Sequence, residues 1–266
     1  MLDVIKGQID GIRIRRTVAQ SRYRGAMQEV PESVVDFWQR NAHLEFKGIP
    51  QDRVFFSRAL EGLLTFFACV RDSGKTCGLP SAAADSVWHA WAARSPAGLE
   101  RFCIKHFGKA IPHMEEADMR PQMEVALANC MVQARCLEQR DPCVPSVPSL
   151  FALDRELRMP RGFSYELVHG AVTIQRLNAL GIPVGGRRYQ NGLDAVQLLG
   201  AGLISQAAYD EHVRQRQDSG GACGSAAGSA GSNCDGASSC DSGGGSDGGG
   251  GDGGGGGGCG GGCGGG

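Results

Sequence analysis

The sequence predicts a mainly α fold: a helical globular body followed by a disordered Gly/Ser/Cys-rich C-terminal tail. Three observations carry that expectation. Apolar residues between Pro50 and Val70 recur at three- and four-residue spacing, the period of one helix face. Pro, Ser and Gly fall where helices begin and end. From Asp218 onward every large apolar side chain is gone, and the chain closes on GGGGDGGGGGGCGGGCGGG. Glycine loses more backbone freedom on ordering than any other residue. A segment with so little apolar surface cannot offset that loss.

Taken in order, Val4, Ile5, Ile9, Ile12 and Ile14 fit either a short strand or a frayed helix. Pro31 marks a helix start, and Val34, Val35, Phe37, Trp38 and Leu44 give that helix one apolar face until Gly48. Pro50 opens the clearest helix, in which Phe56, Ala59, Leu60, Leu63, Phe67 and Val70 oppose a polar stripe of Ser57, Glu61 and Thr65. Asp72-Ser73-Gly74 stops it. Ser81 caps the alanine-rich LPSAAADSVWHAWAARSP, which Ser95-Pro96 closes. Pro96 starts PAGLERFCIKHFG, with Leu99, Phe102, Cys103, His106 and Phe107 along one side and Gly108 placed to end it. A longer helix is expected from Pro121 to Gln139.

Pro142, Pro145 and Pro148 form an extended connector. The chain thus divides into a helical domain over 1–141, a Pro-rich connector with a small helical C-terminal module over 142–217, and the tail over 218–266. In the second part, Leu150 to Leu157 and Val168 to Leu180 read as helices, Asn191-Gly192 as a turn, and Leu193–Leu199 with Ser205–Arg216 as a helical hairpin.

Charge excludes some classes of partner. The tail carries five aspartates and no Lys or Arg, so of the chain's net charge of −1 the body holds about +4. A nucleic-acid footprint needs a clustered basic face. Lys6, Arg13, Arg15, Arg16, Arg22 and Arg24 are the nearest approach to one, and a protein partner is favoured over nucleic acid. Met1 to Val30 lacks an apolar secretion core, and Arg58 and Glu61 interrupt the most apolar stretch, so no membrane span is expected and the chain reads as cytoplasmic. In that compartment the eleven cysteines are thiols, and their odd number does not suit a disulfide framework.

One stretch is organised beyond packing: Asp85, Trp88, His89, Phe102, Cys103, Phe107, Gly108 and His113. Asp85 and His89 are four apart on a helix, so the carboxylate can orient the imidazole. Cys103 lies on the next helix, and His113 follows the Gly108 turn, where the chain can fold back. A helical hairpin would bring His89, Cys103 and His113 together as a zinc-compatible set. The alternatives are a Cys/His catalytic pair and a structural polar cluster in which Cys103 is an apolar filler. The body has no paired C-x-x-C spacing of the kind that marks strong zinc sites.

The run FFACVRDSGKTCGLPSAAADSVWHAWAARSPAGLERFCIKHFGKAIPHMEE resembles the bacterial glycine-rich domain-containing proteins of unknown function, related to the plant glycine-rich domain proteins. The likeness rests on Phe66-Phe67, Pro80-Ser81, Asp85, Trp88-His89, Phe102-Cys103, Phe107-Gly108 and His113, within Pro50 to Glu116. Ala84, Leu99 and Pro112 depart from the family's usual valine, tyrosine and histidine. A glycine-rich C-terminus fits the resemblance, which implies no established reaction. The stretch LDAVQLLGAGLISQAAYDEHVRQRQ further resembles the helical hairpins appended near bacterial C-termini, usually interaction elements.

In the tail, Cys223, Cys234, Cys240, Cys259 and Cys263 sit among glycine, serine and aspartate, open to soft-metal chelation, oxidative cross-linking or azole-forming modification. No complete catalytic constellation is visible, and enzymatic activity is not the favoured expectation. A binding or scaffold protein is; a zinc-binding protein using His89, Cys103 and His113 is the alternative, and a tail that serves as substrate of a heterocyclising enzyme is a lesser one.

Overall fold

The computed structural model describes residues 2–113, 122–190 and 192–220, and the side chains of 8–113, 122–190 and 192–216. Pro121, Asn191 and the tail thiols therefore lie outside the described residues. Within them are ten helices: α1 (Leu2–Gln20), α2 (Arg24–Gln28), α3 (Glu32–Glu45), α4 (Arg53–Ser73), α5 (Ala82–Arg94), α6 (Pro96–Phe107), α7 (Met123–Leu137), α8 (Ser149–Glu156), α9 (Ala195–Gly200) and α10 (Gln206–Gly220). The fold is mainly α, as its sequence predicts, and the ambiguous N-terminal stretch is helical.

Helix α4 is the axis of the body. Asp52 caps it by accepting from the N–H groups of Val54 and Phe55. Its buried residues run all round the helix rather than along one stripe, because α1, α5, α7 and α8 all pack against it. Helix α5 begins at Ser81, whose hydroxyl accepts from Ala84 N–H. Helix α6 ends at Gly108, which adopts φ +77°. That left-handed turn, easy only for glycine, sends 109–113 back along α5.

One element is corrected. The segment Val168 to Leu180, expected as a helix, belongs to an antiparallel meander of β1 (Phe163–Val168), β2 (Ala171–Leu177) and β3 (Pro183–Tyr189). The β1–β2 register runs from Phe163 opposite Arg176 to Val168 opposite Ala171, leaving His169-Gly170 as a two-residue turn. Both turn residues have positive φ, 50° and 77°, the backbone twist that tight hairpins require. The β-branched trio Val172, Thr173 and Ile174 is buried in β2.

The Pro142–Pro148 connector crosses one continuous core. A single cluster of buried side chains runs from Ala26 through Trp38, Phe67 and Trp91 to Phe151, Ile174 and Leu198. Arg135 of α7 is fully buried and holds the connector. Its guanidinium donates to the Ser146 carbonyl from Nε and Nη2, at 3.1 and 3.0 Å, and to the Pro142 carbonyl at 2.9 Å. Burial lowers its pKa to about 10.

Candidate metal site in a charged cavity

Helix α5 carries Asp85 and His89 one turn apart, and the irregular return after Gly108 carries His113 to the same spot. The three ligand-type atoms form a triangle. His89 Nε2 and His113 Nε2 are 3.0 Å apart, His113 Nε2 and Asp85 Oδ1 3.2 Å, and His89 Nε2 and Asp85 Oδ1 3.5 Å. Metal bonds of about 2.0–2.2 Å place neighbouring ligand atoms roughly 3–3.5 Å apart, so these edges suit a single ion seated above the triangle. Behind His89, Nδ1 lies 2.7 Å from Glu45 Oε1 at the end of α3. A proton held between that pair leaves Nε2 with its lone pair facing the other two groups. Trp88 supports the arrangement from one side, its ring 4.5 Å from that of His113 and edge-on to it.

The sequence-derived set is brought together in part. His89 and His113 meet, and Asp85 joins them as a third donor rather than standing behind an imidazole. Cys103 is not among the three. It is fully buried, with its sulfur against the backbone of Ile111. Burial pushes its thiol up to about 11, which makes the thiolate harder to form there than at an exposed cysteine. Its place is under the return segment, two residues before His113. Phe102 and Phe107 are core residues, the first against Trp91 at 4.6 Å and the second against Phe67 at 5.6 Å between ring centroids. His106 turns to Glu29, 3.0 Å away.

Asp154 of α8, which the sequence reading did not single out, fixes the start of α5. Its carboxylate accepts from Ser81 Oγ at 2.6 Å, Ala83 N–H at 2.9 Å, and Ala82 and Phe163 N–H at 3.0 Å. A side chain at Gly162 could not fit, since a Cβ there would meet Asp154 Oδ2 at 2.5 Å. One residue thus ties α8, α5 and β1 together. Burial raises its pKa, opposed by those four donors.

The triangle faces a cavity of about 940 Å³ whose walls come from α3, α4, α5, the 109–113 return and the sheet. Trp88, Phe66, Phe163, Tyr165 and Ile174 supply its apolar surface. The Trp88 indole N–H has no hydrogen-bond partner among the described residues.

Residues 50–179 match the sequence pattern of the UCP032817-like family, an uncharacterised family. The matched stretch contains Asp85, His89, Cys103, His113 and Asp154 and leaves out Glu45. No curated protein and no solved structure matches the chain. No described helix is long and apolar enough to cross a membrane.

Proposed function

We propose that this is a cytoplasmic metal-binding protein in which Asp85, His89 and His113 hold one divalent cation, zinc by preference. The reading takes up the zinc-binding alternative to the binding or scaffold protein that the sequence favours, and replaces Cys103 with Asp85 in the ligand set. The observation that carries it is the triangle itself, three donor atoms of different residues 3.0, 3.2 and 3.5 Å apart. The Glu45 carboxylate on the far nitrogen of His89 adds the outer partner that ligating histidines nearly always have. Two imidazoles and one carboxylate are a known zinc donor set that iron(II) can also use, zinc standing above iron(II) in general affinity, and both leave coordination positions open to a further ligand.

Metal analysis of the full chain after zinc loading and gel filtration tests the proposal. The tail thiols can hold metal of their own, so the decisive quantity is the difference between variants. His113→Ala and Asp85→Ala are expected to lose one equivalent relative to the parent, while Cys103→Ala keeps it. Cobalt substitution reports the ligand type separately. The lost equivalent should carry weak visible bands without the intense near-ultraviolet absorption of a cobalt–thiolate bond. Equal zinc content in the parent, His113→Ala and Asp85→Ala proteins would overturn the assignment.

A further inference from the structure

The charges around the triangle are lopsided. Six cationic side chains line the cavity: Lys47, Lys75, Lys109, Arg161, Arg176 and Arg188. Against them stand two carboxylates, Asp85 and Glu45, and both already face imidazoles. None of the six forms a salt bridge with an acidic side chain among the described residues, Lys109 acting on Asp72 only at longer range. Lys75 donates to the Gly202 carbonyl at 2.6 Å and Lys109 to the Val70 carbonyl at 2.8 Å. These contacts position the ammonium groups without cancelling their charge. The Arg176 guanidinium stacks over the Phe163 ring, 4.3 Å from its centroid. The side chains of Lys47, Arg161 and Arg188 have no hydrogen-bond or ionic partner among the described residues. A bound divalent ion would add to the same sign.

We propose that the cavity binds a small organic anion, a carboxylate or phosphate monoester with an apolar body, whose anionic head lies beside the metal and whose body lies on Trp88, Phe163 and Ile174. The metal's open positions place the head, and that part rests on the preceding proposal; the selection for negative charge rests on the walls alone. Several features converge on this class of ligand. Like charge gathered on exposed side chains around a half-open, partly apolar space attracts an anion and repels cations. The volume is that of a small-molecule pocket, far more than an inorganic ion fills. Planar guanidinium groups suit the two oxygens of a carboxylate or phosphate head. The amino end of α5 is not the anion site, since Asp154 and Ser81 already take its N–H groups.

Titration calorimetry on the zinc-loaded full chain tests the inference with four probes: naphthoate, naphthyl phosphate, naphthylmethylammonium and inorganic phosphate. The two aromatic anions should bind at least about tenfold more tightly than the ammonium of the same shape, and more tightly than inorganic phosphate. The Arg161→Glu/Arg188→Glu double variant should lose about tenfold or more for both anions and keep its zinc. The stronger of naphthoate and naphthyl phosphate identifies the head group. Equal affinity for the anions and the ammonium overturns the inference, as does a double variant that binds both anions like the parent. The two proposals fail separately. A chain that takes up its zinc equivalent yet shows no charge preference loses the cavity inference alone. A chain in which Asp85→Ala changes no zinc content yet prefers the anions loses the metal reading alone.

Discussion

Two aspartates serve the same end of helix α5, and they are used in opposite ways. Asp154 reaches it from α8, is 1 % exposed, and has both oxygens filled by four donors, three of them backbone N–H groups. Asp85 lies in the helix's first turn, half-buried, with one oxygen turned to two imidazole nitrogens and no backbone donor among the described residues. A saturated carboxylate is a structural fastening. One that converges with other lone pairs on a common point invites a cation. Carboxylate chemistry is identical in the two places; the difference is whether the protein itself has used up the acceptor capacity.

The largest expected effect separates these roles. Asp154→Ala leaves a buried hydroxyl and three backbone N–H groups without an acceptor, a loss of about 3–5 kcal/mol. It should appear as a fall in the urea midpoint. Asp85→Ala should change metal-free stability by less than about 1 kcal/mol while zinc affinity drops at least about a hundredfold. The reverse pattern, with Asp85 holding the fold and Asp154 indifferent, would break the comparison.

Arg135 extends it to a buried cation saturated by carbonyls. Arg135→Met keeps the apolar stem and strands the carbonyls of Ser146 and Pro142, at a cost of about 2–4 kcal/mol. Zinc binding should be unchanged, which equilibrium unfolding and a zinc titration check together.

Much of this helical frame was legible because helices announce themselves locally. The stripe of Phe56, Leu60, Leu63 and Phe67, the Ser81 cap and the Gly108 stop all act within one or two turns of their own residues. The hairpin was missed because Ala171–Leu177 buries three consecutive residues, Val172 to Ile174, so it lacks simple alternation, and its turn is His169-Gly170 rather than an asparagine- or aspartate-glycine pair. Losing the hairpin also hid Arg176 and Arg188, which reach the cavity only through the sheet. For the site, the fold-back of His113 could be read from Gly108. Helical spacing cannot tell whether Cys103 points at His89 or beneath the returning backbone, because that depends on how α5 and α6 pack. Glu45 lies 44 positions from His89, with nothing local to link them.

Cys103 gives a pH test of the distinction between ligand and packing residue. Its thiol titrates near 11 in the folded chain against an ordinary 9.0. The folded state therefore favours the protonated thiol. That contribution is fully present below pH 9 and is lost as pH rises towards 11, amounting to about 2–3 kcal/mol for a two-unit shift. Urea midpoints at neutral pH and above pH 10 should diverge in the parent and diverge less in Cys103→Ala. Were Cys103 a zinc ligand, alkaline pH would strengthen its hold on the metal instead. A smaller change is expected at Glu45. Glu45→Gln keeps an acceptor on His89 but removes its charge, and zinc affinity should fall about tenfold or more at nearly constant stability.

The smallest effect concerns a second cluster that proximity alone would select. Ligand-type atoms of Asp141, Cys143 and His212 also lie within 4.8 Å of one another. Their acceptor capacity is used differently. Asp141 Oδ1 accepts from Cys143 N–H at 2.8 Å, and its Oδ2 lies 3.3 Å from His212 Nδ1. The Cys143 thiol points to the Ala208 carbonyl, 3.8 Å away, and burial and then Asp141 push its pKa up to about 11. A thiol that keeps its proton to donate to a carbonyl is a fastener, here between the connector and α10. His212→Ala should therefore loosen α10, costing about 1 kcal/mol, and leave zinc content and affinity within about twofold of the parent. If it removed the zinc equivalent, closeness of donor atoms would be sufficient for a metal site, and the contrast between Asp154 and Asp85 would lose its meaning. If the zinc stays with Asp85 while α10 loosens, what distinguishes the two clusters is the carboxylate oxygen that two imidazole nitrogens share at the centre of one of them.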